Sequence, residues 1–157
     1  MTFVVGLTGG AASGKSTAGA LFQALGAALI DADAVSHALT GRGGKALGAI
    51  EKAFGQDFIS DGALNRPRMR ELVFHDKAAR SELEAILHPL IARELKKAVL
   101  SSRGPYVVLE AALLVEKDSW RTLVNRLLVV DVPECVQIER MMRLRNLPAA
   151  TARAIVA

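Results

Sequence analysis

The chain of 157 residues contains one cysteine, Cys135. An internal disulfide is thereby excluded, and the chain suits a reducing compartment. Cys135 itself reads as a small buried apolar residue on a helix. Aromatic side chains are equally scarce, at 4%, and do not interleave with basic ones, so the stacking platforms of a single-strand nucleic-acid binder are missing. No run of five or more like charges occurs, which excludes a charged interaction tail. Long apolar runs are absent too: Glu110 and Glu116 interrupt the longest ones well short of the roughly 20 residues that a membrane helix needs. No Lys or Arg precedes the first apolar stretch, Phe3-Val4-Val5-Gly6-Leu7, so the N-terminus reads as a strand and not as a signal peptide. These absences leave a cytoplasmic protein, a monomer or small homo-oligomer, with no nucleic-acid or membrane partner.

What remains is a chain that is 51% apolar. It is long enough for one domain that buries roughly 70% of its unfolded surface. Lys plus Arg exceed Asp plus Glu by 20 to 16. A basic balance without clustering fits an enzyme acting on polyanionic small molecules.

The most specific feature is Gly9-Gly10-Ala11-Ala12-Ser13-Gly14-Lys15-Ser16, which fits Gly-x-x-x-x-Gly-Lys-Ser/Thr without a mismatch. It follows an apolar strand and opens a helix whose Ala18, Leu21, Phe22 and Leu25 are spaced as one apolar face. The chemistry is that of a phosphate-binding loop. Glycines let backbone N–H groups turn inward around an oxyanion, Lys15 reaches the outer phosphates, and the Ser16 hydroxyl ligates Mg²⁺. The helix aims its positive end at the same anion.

Strand-like runs recur at Phe3 to Leu7, Ala28 to Ile30, Tyr106 to Leu109 and Leu127 to Val130, separated by segments long enough for crossover helices. The expected fold is α/β: a three-layer phosphate-loop NTPase fold with a parallel sheet. Each run ends in a turn that carries candidate chemistry, at the edge where ligands bind in such sheets. About seventy residues separate the second and third strands, far more than one crossover needs. They predict a helical substrate-binding insertion over about 36–102, set into a core of 1–35 and 103–132. A turn at Gly41 to Gly44, a helix through Leu47, Ile50 and Phe54, an Asp61-Gly62 turn and a helix start at Asn65-Arg66-Pro67 compose it. His88-Pro89 is expected to break the last helix pair, with Ala79, Leu83, Ile86 and Leu87 on one side and Leu90, Ile91, Leu95 and Val99 on the other. Pro133 opens a further helix running to about Arg145, the start of a lid region over 133–157.

Several polar residues carry two readings. Arg140 and Arg143 share a helix face and suit a lid that closes over nucleotide phosphates; alternatively, Glu139 pairs with Arg143 along the helix surface. Asp33, after the second strand, suits an acceptor hydroxyl or a helix N-cap. Glu110 stands where many phosphate-loop proteins keep a metal-linked acid, or is a solvated strand end. His88 satisfies a free carbonyl at a helix break, Arg66 lies on the surface or binds an anionic substrate, and Tyr106 and Trp120 are packing residues.

Taken together these residues resemble dephospho-coenzyme A kinases over the entire chain. The resemblance rests on Gly6-Leu7-Thr8-Gly9-Gly10 through Ser16, Asp31-Ala32-Asp33, Phe54-Gly55, Asp61-Gly62-Ala63-Leu64-Asn65-Arg66, Val73-Phe74 and Leu83-Glu84 with Ile86. It continues through His88-Pro89-Leu90-Ile91, Leu113-Leu114-Val115-Glu116 and Gln137-Ile138-Glu139-Arg140 with Arg143. It implies MgATP-dependent phosphorylation of the ribose 3′-hydroxyl of dephospho-CoA. Lys15, Asp33 and Arg140 are implied as catalytic, with Asp33 the carboxylate toward the acceptor hydroxyl. Gly10, Ala11, Ala12, Ser13, Gly14, Lys15, Ser16, Thr17 and Arg140 are implied around ATP, with Ser16 on the metal. Asp33, Arg66, His88, Leu113 and Leu114 are implied around the acceptor. The sequence departs from the family pattern at Ala12, where a loop glycine is usual, at Ala112, usually proline, and at Glu110, more commonly Asp. The family normally continues with a glutamine-bearing helix, a fifth strand and further nucleotide contacts. The resemblance therefore implies a chain truncated at its C-terminal strand and helix, which binds the acceptor but holds ATP weakly. Two other functions share parts of the pattern. A nucleoside-monophosphate-type kinase lacks the Asp-x-Asp and His-Pro pairing, and a GTP-dependent switch needs an Asn-Lys-x-Asp segment that does not occur here.

Overall fold

The computed structural model describes residues 2–111 and 122–156. In chain order its elements are β1 (Val4–Gly9), α1 (Lys15–Ala24), β2 (Ala28–Asp31), α2 (Ala32–Thr40), α3 (Leu47–Phe54), a 3₁₀ turn (Gln56–Phe58), β3 (Ile59–Ser60) and β4 (Ala63–Leu64). There follow α4 (Arg66–His75), α5 (Lys77–Ser101), β5 (Val107–Glu110), β6 (Arg126–Val130), α6 (Glu134–Arg145) and α7 (Ala149–Val156). Among the described residues no helix is long and apolar enough to cross a membrane. The chain divides into two compact units, Met1–Asp31 with Val99–Ala157, and Ala32–Ala98.

The first unit is built on a parallel sheet in the order β2-β5-β1-β6. The two inner strands carry the apolar runs of the sequence, as strands covered on both faces must: Leu7, Val107, Val108 and Leu109 are fully buried. Helix α1 packs Ala18 and Phe22 on the cluster of Leu7, Ala27 and Val108, where Tyr106 also packs, its ring meeting Phe22 edge-on with 6.4 Å between centroids. The helix face is rotated from the expected one. Leu21 and Leu25 point to solvent, 63% and 78% exposed. The inward line runs through Gly19 instead, where a Cβ would stand 3.1 Å from Glu110 Oε2 and 3.2 Å from Leu29 Cδ1. A glycine on a buried stripe is invisible to apolar spacing, which is why the periodicity pointed elsewhere.

The second unit is mainly helical. Asn65 caps α4 by accepting from the Arg68 N–H at 3.3 Å, and Pro67 occupies the first turn, where its missing donor costs nothing. Asp61 and Gly62 both have positive φ, 52° and 73°, and turn β3 into β4 with Ile59 opposite Leu64. This is the two-residue hairpin loop that matches strand twist, so the expected turn is the tip of a small hairpin. On the surface, a hydrogen bond from Lys45 Nζ at 2.6 Å holds the Glu94 carboxyl below its ordinary pKa.

One expectation fails here. His88-Pro89 does not separate two helices, because α5 runs through it from Lys77 to Ser101. Proline removes the bond to the carbonyl four residues back, and here that residue, Ala85, is exposed, as is Pro89. Water can satisfy the orphaned carbonyl, while Ala79 before the proline and Ile91, Leu95 and Val99 after it are buried along the helix. Packing of that face outweighs the lost bond.

Two glycines of the second unit separate close approach from open space. A Cβ at Gly44 would collide with the Leu39 carbonyl, whereas one at Gly48 would meet nothing within 4 Å. Gly44→Ala is expected to destabilise the protein by about 1–3 kcal/mol. Gly48→Ala, within α3, is expected to stabilise it by about 0.5–1 kcal/mol. Urea unfolding of both variants checks the pair, and equal effects would contradict the described turn.

Candidate active site

The parallel register determines where the loop begins. Gly9, the last residue of β1, stands opposite Val130 of β6, and a Cβ there would run into the Val130 carbonyl and Ser13 Oγ. From Gly9 the chain turns sharply. Ser13 N–H donates to the Gly10 carbonyl at 3.1 Å, Ala12 adopts φ 56° and Gly14 φ 101°. Gly14 is the N-cap residue of α1, its carbonyl accepting from Ala18 N–H at 2.9 Å. No acidic residue lies in the first turn of α1. The positive end of the helix and the loop N–H groups are thus left for an external anion. Lys15, half-buried, and the exposed Ser16 and Thr17 open that helix.

Ser16 donates to Glu110 Oε1 at 2.7 Å. Glu110 closes β5 and is 8% exposed, so it is not a solvated strand end. Its register partners are Leu7 of β1 and Asp31 of β2. A hydroxyl joined to a buried carboxylate beneath a phosphate loop is an oxygen-only donor set. It suits a hard divalent cation that takes its other ligands from phosphates and water.

The opposite wall of the loop is helix α6. Arg140 Nη1 donates to the carbonyls of Ala12 and Ser13, at 3.2 and 3.1 Å. Three residues earlier, hence on the same face, Gln137 is buried and donates through Nε2 to the Val132 carbonyl at 3.1 Å. Its carboxamide faces Gly10: a Cβ on that glycine would lie 3.2 Å from Gln137 Oε1. Residue type and spacing alone give Gln137 no task. The available signal was its place one turn before Arg140. Cys135, two positions from Gln137 and so on the other side of α6, is exposed, which corrects its expected burial.

In the second unit Asp33 is exposed in the first turn of α2. The helix starts at Ala32, so Asp33 lies inside its first turn. A carboxylate in a first turn complements the helix dipole. One face of α2 carries Asp33, His37 and Thr40 by helical spacing. Arg66 Nη2 reaches this helix, donating to the His37 carbonyl at 3.2 Å and Thr40 Oγ1 at 3.0 Å. Arg66 is therefore half-buried and engaged, not a free surface cation. His88 is half-buried within continuous α5, not at a helix break. Leu113, Leu114 and Trp120 lie outside the described residues.

The family described as "CoaE: Dephospho-CoA kinase" matches residues 3–157. Among similar proteins, the dephospho-CoA kinase of Aromatoleum aromaticum is 49% identical over 156 residues, covering 99% of this chain and 76% of that protein. That of Nitrosospira multiformis is 47% identical over 98% of this chain and 77% of its own length. The crystal structure of TT1252 from Thermus thermophilus superposes with a TM-score of 0.84 at 30% identity, covering 98% of this chain and 78% of that one. Dephospho-CoA kinase from Campylobacter jejuni shares the fold, with a TM-score of 0.64 at 22% identity over 99% of this chain and 78% of that one.

The loop carries two local costs. Ala12 is a Cβ-bearing residue in the left-handed region, and Ser13 Oγ is buried with no hydrogen-bond partner among the described residues. Ala12→Gly and Ser13→Ala are each expected to raise unfolding stability by about 1 kcal/mol. Thermal unfolding reads both, and a fall in stability for both would show that the loop is not strained as described.

Proposed function

The chain belongs to the dephospho-CoA kinase family, and we propose that it carries out that family's reaction with the phosphate loop, Arg140 and Asp33 as its working parts. The enzyme is a phosphotransferase of coenzyme A biosynthesis. It transfers the γ-phosphoryl group of ATP to the ribose 3′-hydroxyl of dephospho-CoA, giving coenzyme A and ADP. The observation that supports this assignment of parts is the Arg140 guanidinium bonded to two carbonyls of the phosphate loop, a cation held beside the loop that would receive the triphosphate.

In this reading residues Gly10 to Thr17 cradle the phosphates through backbone N–H groups, and Lys15 reaches the outer ones. The transition state of phosphoryl transfer is loose, so positioning and positive charge do most of the work. Arg140 donates to the loop carbonyls through Nη1, and a guanidinium fork carries further donors that would serve the developing charge. Ser16, with Glu110 behind its hydroxyl, would hold Mg²⁺, which would supply positive charge against the phosphates. Asp33 accepts the proton of the acceptor hydroxyl as that oxygen bonds to the γ-phosphorus and the bond to the ADP oxygen breaks. Arg66 and His88 hold the acceptor, with Leu113 and Leu114 completing its site. The division into core, insertion over about 36–102 and lid over about 133–157 belongs to the same proposal. So do a cytoplasmic location and a monomer or small homo-oligomer whose partners are small molecules.

The test is a coupled assay for ADP release with MgATP. Dephospho-CoA is expected to be phosphorylated, while AMP, CMP, UMP and shikimate stay inert, and ATP but not GTP supports the reaction. Transfer to a mononucleotide as fast as to dephospho-CoA would overturn the assignment.

Two substitutions separate roles. Arg140→Ala should lower turnover by about 10²-fold or more while ATP affinity changes little. Asp33→Asn should slow transfer by roughly 10²- to 10⁴-fold with both substrates still bound. Single-turnover rates with separate binding titrations decide. Wild-type turnover in Arg140→Ala would return that residue to a surface role. A variant of Asp33 that loses stability but not rate would reduce it to a helix-end charge.

A further inference from the structure

We propose that Gln137 is a positioning residue of the phosphate loop: its carboxamide is the seat on which Gly10 rests, and through it the start of α6 sets the loop's affinity for MgATP. The phosphate-loop pattern fixes glycine at positions 9 and 14 and leaves position 10 open. Gly10 has no positive φ to account for its identity. What crowds a side chain there is Gln137, whose Oε1 and Nε2 lie 3.2 and 3.3 Å from where a Cβ would stand, so that the carboxamide would have to give by a few tenths of an ångström.

The carboxamide is held at its other end. Nε2 donates to the Val132 carbonyl at 3.1 Å, and the Gln137 backbone N–H donates to the Pro133 carbonyl at 3.1 Å, so side chain and main chain are both tied to the turn between β6 and α6. That turn follows Val130, the register partner of Gly9. Strand pairing at Gly9, the amide contact at Gly10 and Arg140 at Ala12 and Ser13 form three successive supports for the loop. Gln137 is 8% exposed, and a buried amide is kept only where its bonds repay desolvation. A packing residue at this site would be apolar, as its neighbour one turn on, Met141, is.

The two polar residues of this helix face then divide the work. Gln137 fixes the loop N–H groups before nucleotide arrives and acts on binding, whereas Arg140 acts on the charge that develops during transfer. This inference rests on the loop being the MgATP site.

The test uses Gln137→Leu, Gln137→Ala, Gly10→Ala and the double variant Gly10→Ala with Gln137→Ala. MgATP titration of the unmodified protein comes first, and failure to bind overturns both the site assignment and this inference. Given binding, Gln137→Leu should raise the KM for ATP about tenfold, with kcat and the KM for dephospho-CoA within about twofold and the thermal midpoint nearly unchanged. Gly10→Ala should weaken ATP binding by a similar factor, and the double variant should bind no more weakly than Gln137→Ala alone, because without the amide the added methyl group has room. An unchanged KM for ATP in Gln137→Leu overturns the proposal. If that variant does not fold, the double variant decides: effects of Gly10→Ala and Gln137→Ala that simply add overturn it, and a double variant that binds no more weakly than Gln137→Ala alone upholds it.

Discussion

Everything at the site depends on one register. Because β1 runs parallel to both neighbours, with Leu7 opposite Glu110 and Gly9 opposite Val130, the ends of three strands emerge together at one edge. The chain leaving β1 becomes the loop, the residue ending β5 is the acid under Ser16, and the chain leaving β6 becomes the helix that bears Gln137 and Arg140. A slip of one residue in either pairing would turn these side chains to the other face of the sheet. The close fit of Gly9 against the Val130 carbonyl makes such a slip costly, since that edge has no room for a Cβ.

Charge is arranged asymmetrically around the loop. Glu110 takes a hydrogen bond from Ser16, Arg140 bonds the loop carbonyls of Ala12 and Ser13, and no acidic residue lies in the first turn of α1. The Arg140 bonds to the loop are charge-assisted and worth roughly 1.5–3 kcal/mol in a partly buried setting. They also hold the Ala12 carbonyl, at the residue whose left-handed backbone costs about 1–2 kcal/mol. These magnitudes are comparable, so one arginine suffices to hold an alanine where glycine would be relaxed. That accounts physically for how this sequence tolerates Ala12 in its loop.

Much of the architecture was legible because local and long-range signals agreed. Four apolar runs became the four parallel strands, the Gly-x-x-x-x-Gly-Lys-Ser segment became a strand-loop-helix unit, and Asn65-Arg66-Pro67 began a helix as written. Failures occurred where tertiary packing overrode a local rule. Pro89 is a break by the local rule, but its solvent-side position makes the lost bond cheap. Leu21 and Leu25 match a core face because periodicity counts large apolar residues, whereas the sheet needs the small Gly19. Residue type alone puts Cys135 in the interior, but the side of α6 facing the loop is the polar one.

The site was less legible than the fold for the same reason. Lys15, Ser16 and Arg140 announce themselves by type and spacing, but the partners that define their tasks are backbone carbonyls and a strand-end acid 94 positions away from Ser16. Arg66 shows the limit well. Its type suggests an anion, yet its partners in the structure are the His37 carbonyl and the Thr40 hydroxyl, so one guanidinium nitrogen is committed to α2. A planar fork with several donors can brace a helix through one nitrogen and still present others to a substrate, which a lysine could not do. Arg140 is braced likewise, its Nη1 bonded to two carbonyls of the loop. In both units, then, an arginine is tied to backbone oxygens distant in sequence, and a guanidinium so held meets an anion without first having to be ordered.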